Sequence, residues 1–154
     1  MNHINSAMEI VMRSIGMIHS PFVSKDQTPI QASRSQAIGT VEIYPEFADG
    51  LKDIEGISHL HLLYVFHESY GYKLEVKPFL DDREHGIFST RYPFRPNPIG
   101  LSTVRLLSRQ ENILTIEGID VLDGTPLLDI KPYVPEFDLR TEARTGWYET
   151  RSKK

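Results

Sequence analysis

Apolar and polar positions alternate in short runs along this chain, and the runs end too soon for helices. Alternation with a period of two turns one side of a strand to a core and the other to solvent. The pattern therefore predicts strands over residues 10–18, 39–43, 60–67, 74–77, 86–89, 101–108, 113–119 and 127–133. Their spacing suits a mainly β domain, either a barrel or a sandwich. The polar link between 108 and 113 reads as a hairpin turn. One short helix is predicted near 45–54, where Pro45 fits a first helical turn and Phe47, Leu51 and Ile54 share a face, while Gly50 limits its length. Residues 24–34 are polar and break the strand pattern, as a surface loop would.

Two segments are denser in chemistry than a β domain needs. The first is RYPFRPNPIGLS at 91–102. Prolines at 93, 96 and 98 lock their own φ and bias Tyr92, Arg95 and Asn97 towards extended backbone, so the loop has little freedom left to lose on binding. The second segment starts at Asp120, turns tightly at Asp123-Gly124, and then alternates Asp129, Lys131 and Tyr133 with Leu128, Ile130 and Pro132. A strand would show the three polar groups on one side, with Pro132 at an edge or at the strand's end. His67 and Glu68 close the 60–67 strand, a position where side chains meet ligands at a barrel mouth.

Composition narrows the chemistry. A chain of 154 residues, 40% hydrophobic, fits one domain with its own core. The lack of cysteine excludes disulfides, thiolate metal sites and a cysteine nucleophile. No basic segment followed by an apolar stretch opens the chain, and no apolar run reaches the ~18 residues of a membrane span, so a soluble, cytoplasmic protein is expected. Net charge is −4, but residues 139–154 carry +3 and the remainder −7. That tail, with Trp147 and Tyr148, is expected to leave the core and meet RNA or a second subunit. His59, His61 and His67 raise the alternative of a metal enzyme; on one strand His61 and His67 would lie about 20 Å apart, so no metal is expected. Gly-x-Gly-x-x-Gly turns and phosphate loops are absent, which argues against a Rossmann domain.

The run GIFSTRYPFRPNPIGLS (86–102) followed by DVLDGTPLLDIKPY (120–133) resembles the TsaA-like or TrmO family of tRNA methyltransferases. IGMIHSP (15–21) and GISHLHLLYVFH (56–67) are similar to it as well, so the resemblance covers residues 13–138 and leaves 139–154 as a tail. It implies a single non-Rossmann β-barrel with few short helices, usually a homodimer, that binds S-adenosyl-L-methionine. The implied reaction is N6-methylation of N6-threonylcarbamoyladenosine beside the tRNA anticodon. Implied cofactor contacts are Ile30, Gln31, Ala32, His67, Glu68, Arg91, Leu101, Glu117, Gly118, Ile119 and Asp120. On the RNA side stand Arg95, Asn97 and Lys131, with Asp129 or Tyr133 as acceptor of the amine proton.

Two departures from the family pattern bear on function. Tyr92 stands where a serine commonly follows the first arginine of the loop, and longer bacterial members continue into a small further domain that this sequence lacks. A β-barrel module that binds an adenosyl compound without turnover and regulates a partner is the alternative reading of the same residues.

Overall fold

Leu60, Leu62 and Tyr64 are buried whereas their neighbours His59 and Leu63 face outward, so the alternation seen in the sequence is a pleat with one side in a core. The computed structural model describes residues 7–29 and 35–153. Its strands are β1 (Gly16–His19), β2 (Ile38–Ile43), β3 (His59–Val65), β4 (Glu75–Val76), β5 (His85–Gly86), β6 (Ile99–Gln110), β7 (Ile113–Glu117) and β8 (Thr125–Pro132). Six of them close a barrel in the order β1-β2-β7-β6-β3-β8, with β8 returning to β1, and every pair is antiparallel. Closure leaves the barrel no free sheet edge. Inside lie Ile18, Val41, Ile43, Leu60, Leu62, Val104, Leu114, Ile116 and Leu127, each worth about 1.5–3 kcal/mol on burial.

Several elements differ from their sequence-based bounds. The strand expected over 10–18 starts only at Gly16, because β2 and β8 offer partners from that residue on and Ile10, Val11 and Met12 remain exposed. The 86–89 strand is reduced to Gly86, paired with Glu75, and the chain then enters a 3₁₀ turn over Ile87–Ser89 whose last carbonyl-bonded hydroxyl is that of Thr90. The expected helix forms as two 3₁₀ turns, Pro45–Leu51 and Ile54–Gly56, separated where Asp53 adopts a φ of 70°. Leu51 is buried, and Phe47 and Ile54 pack on the core as their spacing suggested. A single turn of helix, α1 (Pro135–Asp138), follows β8.

The segment from 66 to 98 leaves the barrel between β3 and β6 and folds around the β4–β5 hairpin. The C-terminal tail, expected to reach away from the core, returns to this insertion. Trp147 stacks on His85 at 4.3 Å and donates its indole N–H to the Ser89 carbonyl at 2.7 Å. Asp81, fully buried, is the anchor: one carboxylate oxygen accepts from His85 Nε2 (2.7 Å) and Arg83 Nε (2.9 Å), the other from the Ser152 backbone N–H (3.0 Å) and hydroxyl (2.8 Å). These bonds hold the Asp81 carboxyl well below the usual carboxylate range, the one from His85 most of all. The tail thereby ends as a strap across the residues that lead into Arg91.

Candidate functional site

Because every barrel pair is antiparallel, the ends of β1, β3 and β7 and the starts of β2, β6 and β8 gather at one rim. The insertion with Arg91, the β7–β8 link with Asp120, and the loop ahead of β2 all emerge there. Of the expected cofactor residues, His67, Glu68, Arg91, Leu101, Glu117, Gly118, Ile119 and Asp120 belong to this rim. Ile30, Gln31 and Ala32 lie outside the described residues. The stem of their loop does not: Ser35 Oγ donates to the Ile119 carbonyl at 2.5 Å, and the Gly118 N–H donates to the Ala37 carbonyl at 2.9 Å. Gly118, with φ 95°, turns the chain out of β7 in a conformation that favours glycine, which leaves Ile119 fully buried and Asp120 at the rim.

A hydrogen-bond chain missed by the sequence reading supports Asp120. Ser102 Oγ donates to Asp120 Oδ1 at 2.5 Å, so the hydroxyl of Tyr64, 2.7 Å from Ser102 Oγ, is the donor to that serine. Tyr64 and Ser102 are both buried. Burial pushes the Tyr64 phenol far above its ordinary value; the Asp120 charge adds to the rise, and the Ser102 bond and the Arg91 guanidinium oppose it. The phenol therefore stays neutral and able to donate. Gly100 leaves room for this ring and for Phe66, which meets it edge-on at 5.6 Å. The sequence signal was a tyrosine at an inward position of a strand, next to an inward serine on its neighbour.

The proline loop is braced from within. Arg95 Nη1 donates to the carbonyls of Thr90 (2.8 Å) and Tyr92 (3.1 Å), so the guanidinium expected to face RNA ties the loop together instead. Thr90 Oγ1 accepts from the Tyr92 N–H at 3.2 Å, and the Phe66 N–H donates to the Pro98 carbonyl at 2.7 Å. Arg91 and Asn97 are left exposed.

Asp129, Lys131 and Tyr133 lie elsewhere, on the outer face of β8. Asp129 pairs with Leu63, which pairs with Leu101, so Asp129 shares a row with Leu101 two strands away, about 10 Å across the sheet. Lys131 stands beside His61 and forms an ion pair with Asp129 at 3.0 Å. Tyr133 is further still: its N–H bonds the His59 carbonyl, and its ring meets His61 edge-on at 5.4 Å. From the row of Leu63 to that of His59 is about 13 Å along the strand, so one chain does not fold Tyr133 into a pocket with Arg91.

The histidines of β3 have other partners. His59 meets the Ser58 hydroxyl at 2.8 Å; His61 meets Thr103 Oγ1 at 2.9 Å and Asp138 at 3.3 Å. Among the described residues, no three His, Asp or Glu side chains converge as metal ligands would. At the opposite rim an open cleft of about 840 Å³ runs between the Pro45–Leu51 turn and the β6–β7 hairpin. Within it Arg109 pairs with Glu55 at 2.8 Å. No described helix is long and apolar enough to cross a membrane.

Residues 17–139 match the family described as tRNA-methyltransferase O N-terminal domain. A probable S-adenosyl-L-methionine-binding protein of Pyrococcus abyssi is 57% identical over 141 residues, which cover 91% of this chain and 77% of that protein. A mouse tRNA (adenine(37)-N6)-methyltransferase is 37% identical over 140 residues, covering 86% of this chain and 32% of that protein. The crystal structure of TrmO from Pseudomonas aeruginosa superposes with a TM-score of 0.77 at 41% identity, over 90% of this chain and 62% of the solved one. The chain thus spans under two thirds of that structure and about a third of the mouse enzyme.

Proposed function

The chain belongs to the tRNA-methyltransferase O N-terminal domain family, and from that premise we propose that it is an S-adenosyl-L-methionine-dependent tRNA methyltransferase acting on N6 of threonylcarbamoyladenosine. The observation that carries this reading is the rim itself. Arg91, Leu101 and the Tyr64–Ser102–Asp120 chain bring a free guanidinium, an exposed apolar side chain and a pre-oriented carboxylate to one end of the barrel. That donor set fits an amphipathic ligand with a carboxylate, hydroxyls and a flat base. When bound, the cofactor supplies a methyl group already activated on a sulfonium, so no metal or covalent nucleophile is called for.

The chain's own work is then alignment and exclusion of water. Arg91 forks onto a carboxylate. Asp120, held by Ser102, accepts hydrogen bonds from hydroxyl or amino groups. Leu101 offers apolar contact, and His67 and Glu68 close the end of β3. On the substrate side, Asn97 is exposed on the same proline loop as Arg91, and Asp129 is the nearer acceptor for the amine proton because it shares Leu101's row. Lys131 and Tyr133 contact RNA further along β8. A homodimer, as the family resemblance implies, and a cytoplasmic location are parts of the same proposal; light scattering of the purified protein tests the first.

The decisive experiment is transfer of labelled methyl groups to tRNA carrying threonylcarbamoyladenosine; binding of the cofactor by calorimetry with no transfer to any tRNA would replace an enzyme with a binding module. Within it, Arg91→Ala is expected to weaken cofactor binding by roughly ten-fold or more, the loss of a charge-assisted bond. Tyr133→Ala should leave that affinity unchanged and lower transfer. Equal losses of cofactor affinity in the two variants would contradict the separation of the rim from the outer face.

A further inference from the structure

The 66–98 insertion exposes aromatic rings and almost no other large apolar side chain. Tyr70, Tyr72, Phe79, Phe88 and Phe94 all reach solvent, Phe79 and Phe88 with 65% and 75% of their surface. Their backbones are not loose. Phe79 is flanked by Pro78 and Leu80, both buried, and Phe88 follows the buried Ile87. Phe94 lies between Pro93 and the bracing Arg95. Phe79 and Phe88 are therefore turned outward by neighbours anchored inward. Phe79 and Phe94 flank the half-buried Tyr92 in a row: Phe79 and Tyr92 have centroids 5.7 Å apart at 50°, and Tyr92 and Phe94 5.7 Å apart at 44°. The row runs along the loop that presents Arg91.

Cations accompany the rings. The Lys73 N–H bonds the Phe94 carbonyl at 3.4 Å, which sets Lys73 beside the end of the row. Lys73, Lys77 and Arg91 are exposed, and among the described residues none is in an ion pair. Rings held open at fixed tilts, with free positive charge alongside, match the chemistry of unpaired nucleobases: every base has a face to stack, and the backbone between bases is anionic. Apart from Leu74 the insertion exposes no large aliphatic side chain, so the rings stand among polar groups rather than within a contiguous apolar patch.

We propose that the Phe79–Tyr92–Phe94 row is a stacking surface for single-stranded RNA, holding the unpaired bases that flank the nucleotide to be methylated. It rests on the function proposed above for its choice of RNA. Stacking supplies affinity without reading sequence, so the row grips a loop while the rim selects the modified base.

The test uses Phe79→Leu, Phe94→Leu and the double variant, which keep apolar bulk and remove the rings, with Phe79→Tyr and Phe94→Tyr as rescues. Binding of a fluorescent RNA stem-loop bearing the anticodon sequence is followed by anisotropy. Each single variant is expected to weaken it about ten-fold, the double about a hundred-fold, with near-recovery in the tyrosine variants. Three cations at the row predict a slope near −2 for the logarithm of the association constant against that of salt. Cofactor affinity by calorimetry and mass by light scattering should not change. Unaltered RNA affinity in the double variant overturns the proposal, and so does a fall in mass, which would make the row a contact between copies. If the wild type methylates tRNA and the double variant does so with an unchanged KM, the stacking surface is wrong and the enzyme stands. Ring-dependent RNA binding without methylation of any tRNA leaves the surface standing and refutes the enzyme.

Discussion

Gly100→Ala is expected to abolish cofactor binding and to lower the unfolding free energy by about 1–3 kcal/mol, the range for overpacking a close-packed core. A Cβ at this position overlaps the Tyr64 ring, lying 2.6 Å from its Cζ, and comes within 2.8 Å of Phe66 Cζ. Tyr64 has nowhere to go: it is 3% exposed, and its hydroxyl is bonded to Ser102. Relief means displacing the ring, which withdraws the donor from Ser102 and releases Asp120. Urea unfolding and calorimetry measure the two effects; an alanine variant with native affinity and stability would show that the buried chain is ornamental. Tyr64→Phe is the milder companion, deleting one hydrogen bond worth about 1 kcal/mol and keeping the ring. Since the Tyr64 phenol is raised in the fold, its contribution is complete below the ordinary tyrosine value near pH ~10 and is lost as pH rises beyond it.

The second large effect concerns the tail. Asp81→Asn should release it, because a neutral amide cannot accept from His85, Arg83 and Ser152 together. Trp147 is the sole tryptophan, so its fluorescence reports docking directly. Stacked on His85 and Tyr148 it has one spectrum; freed into water it emits to the red. In the wild type the Asp81 carboxyl titrates below its unfolded value of about 3.9, so the stabilisation is complete above that pH and drains away as pH falls from there towards the folded value. The emission should hold steady from pH 7 to about 4 and shift only below. In Asp81→Asn it should already be shifted at pH 7, with faster hydrogen exchange over 87–95 and weaker cofactor binding, since Trp147 no longer holds the Ser89 carbonyl. Native emission in that variant at pH 7 would dissociate the strap from the carboxylate.

Local patterns were legible where a strand's neighbours act on it evenly. β2, β3, β6, β7 and β8 follow their alternation to within a few residues, and the Phe47, Leu51 and Ile54 face packs as read. The start of β1 was not legible, because a strand ends where its partners end, and β8 lies over a hundred residues away. Motif order also concealed distance. Arg91 and Tyr133 belong to the two segments that carry the family resemblance, yet the direction of β8 carries Tyr133 away from the rim. Arg95 looked like a ligand group for its charge, although proline loops of this tightness need an internal brace for carbonyls that cannot pair with a strand. The Asp81 cluster was hidden because Ser152, which supplies two of its four hydrogen bonds, lies far along the chain from Asp81, Arg83 and His85.

The seam between β1 and β8 sets the order of assembly. Gly16 pairs with Leu127, so the sheet cannot close until nearly the whole barrel has been synthesised, and the strap from Trp147 to Ser152 can dock only after that. Contacts of such long sequence separation make for slow folding, with β1 and its neighbours waiting as open edges during translation. Fragments that stop short of β8 would therefore be prone to pair with each other, and the residues that fasten the loop carrying Arg91 are synthesised only after the last strand of the barrel.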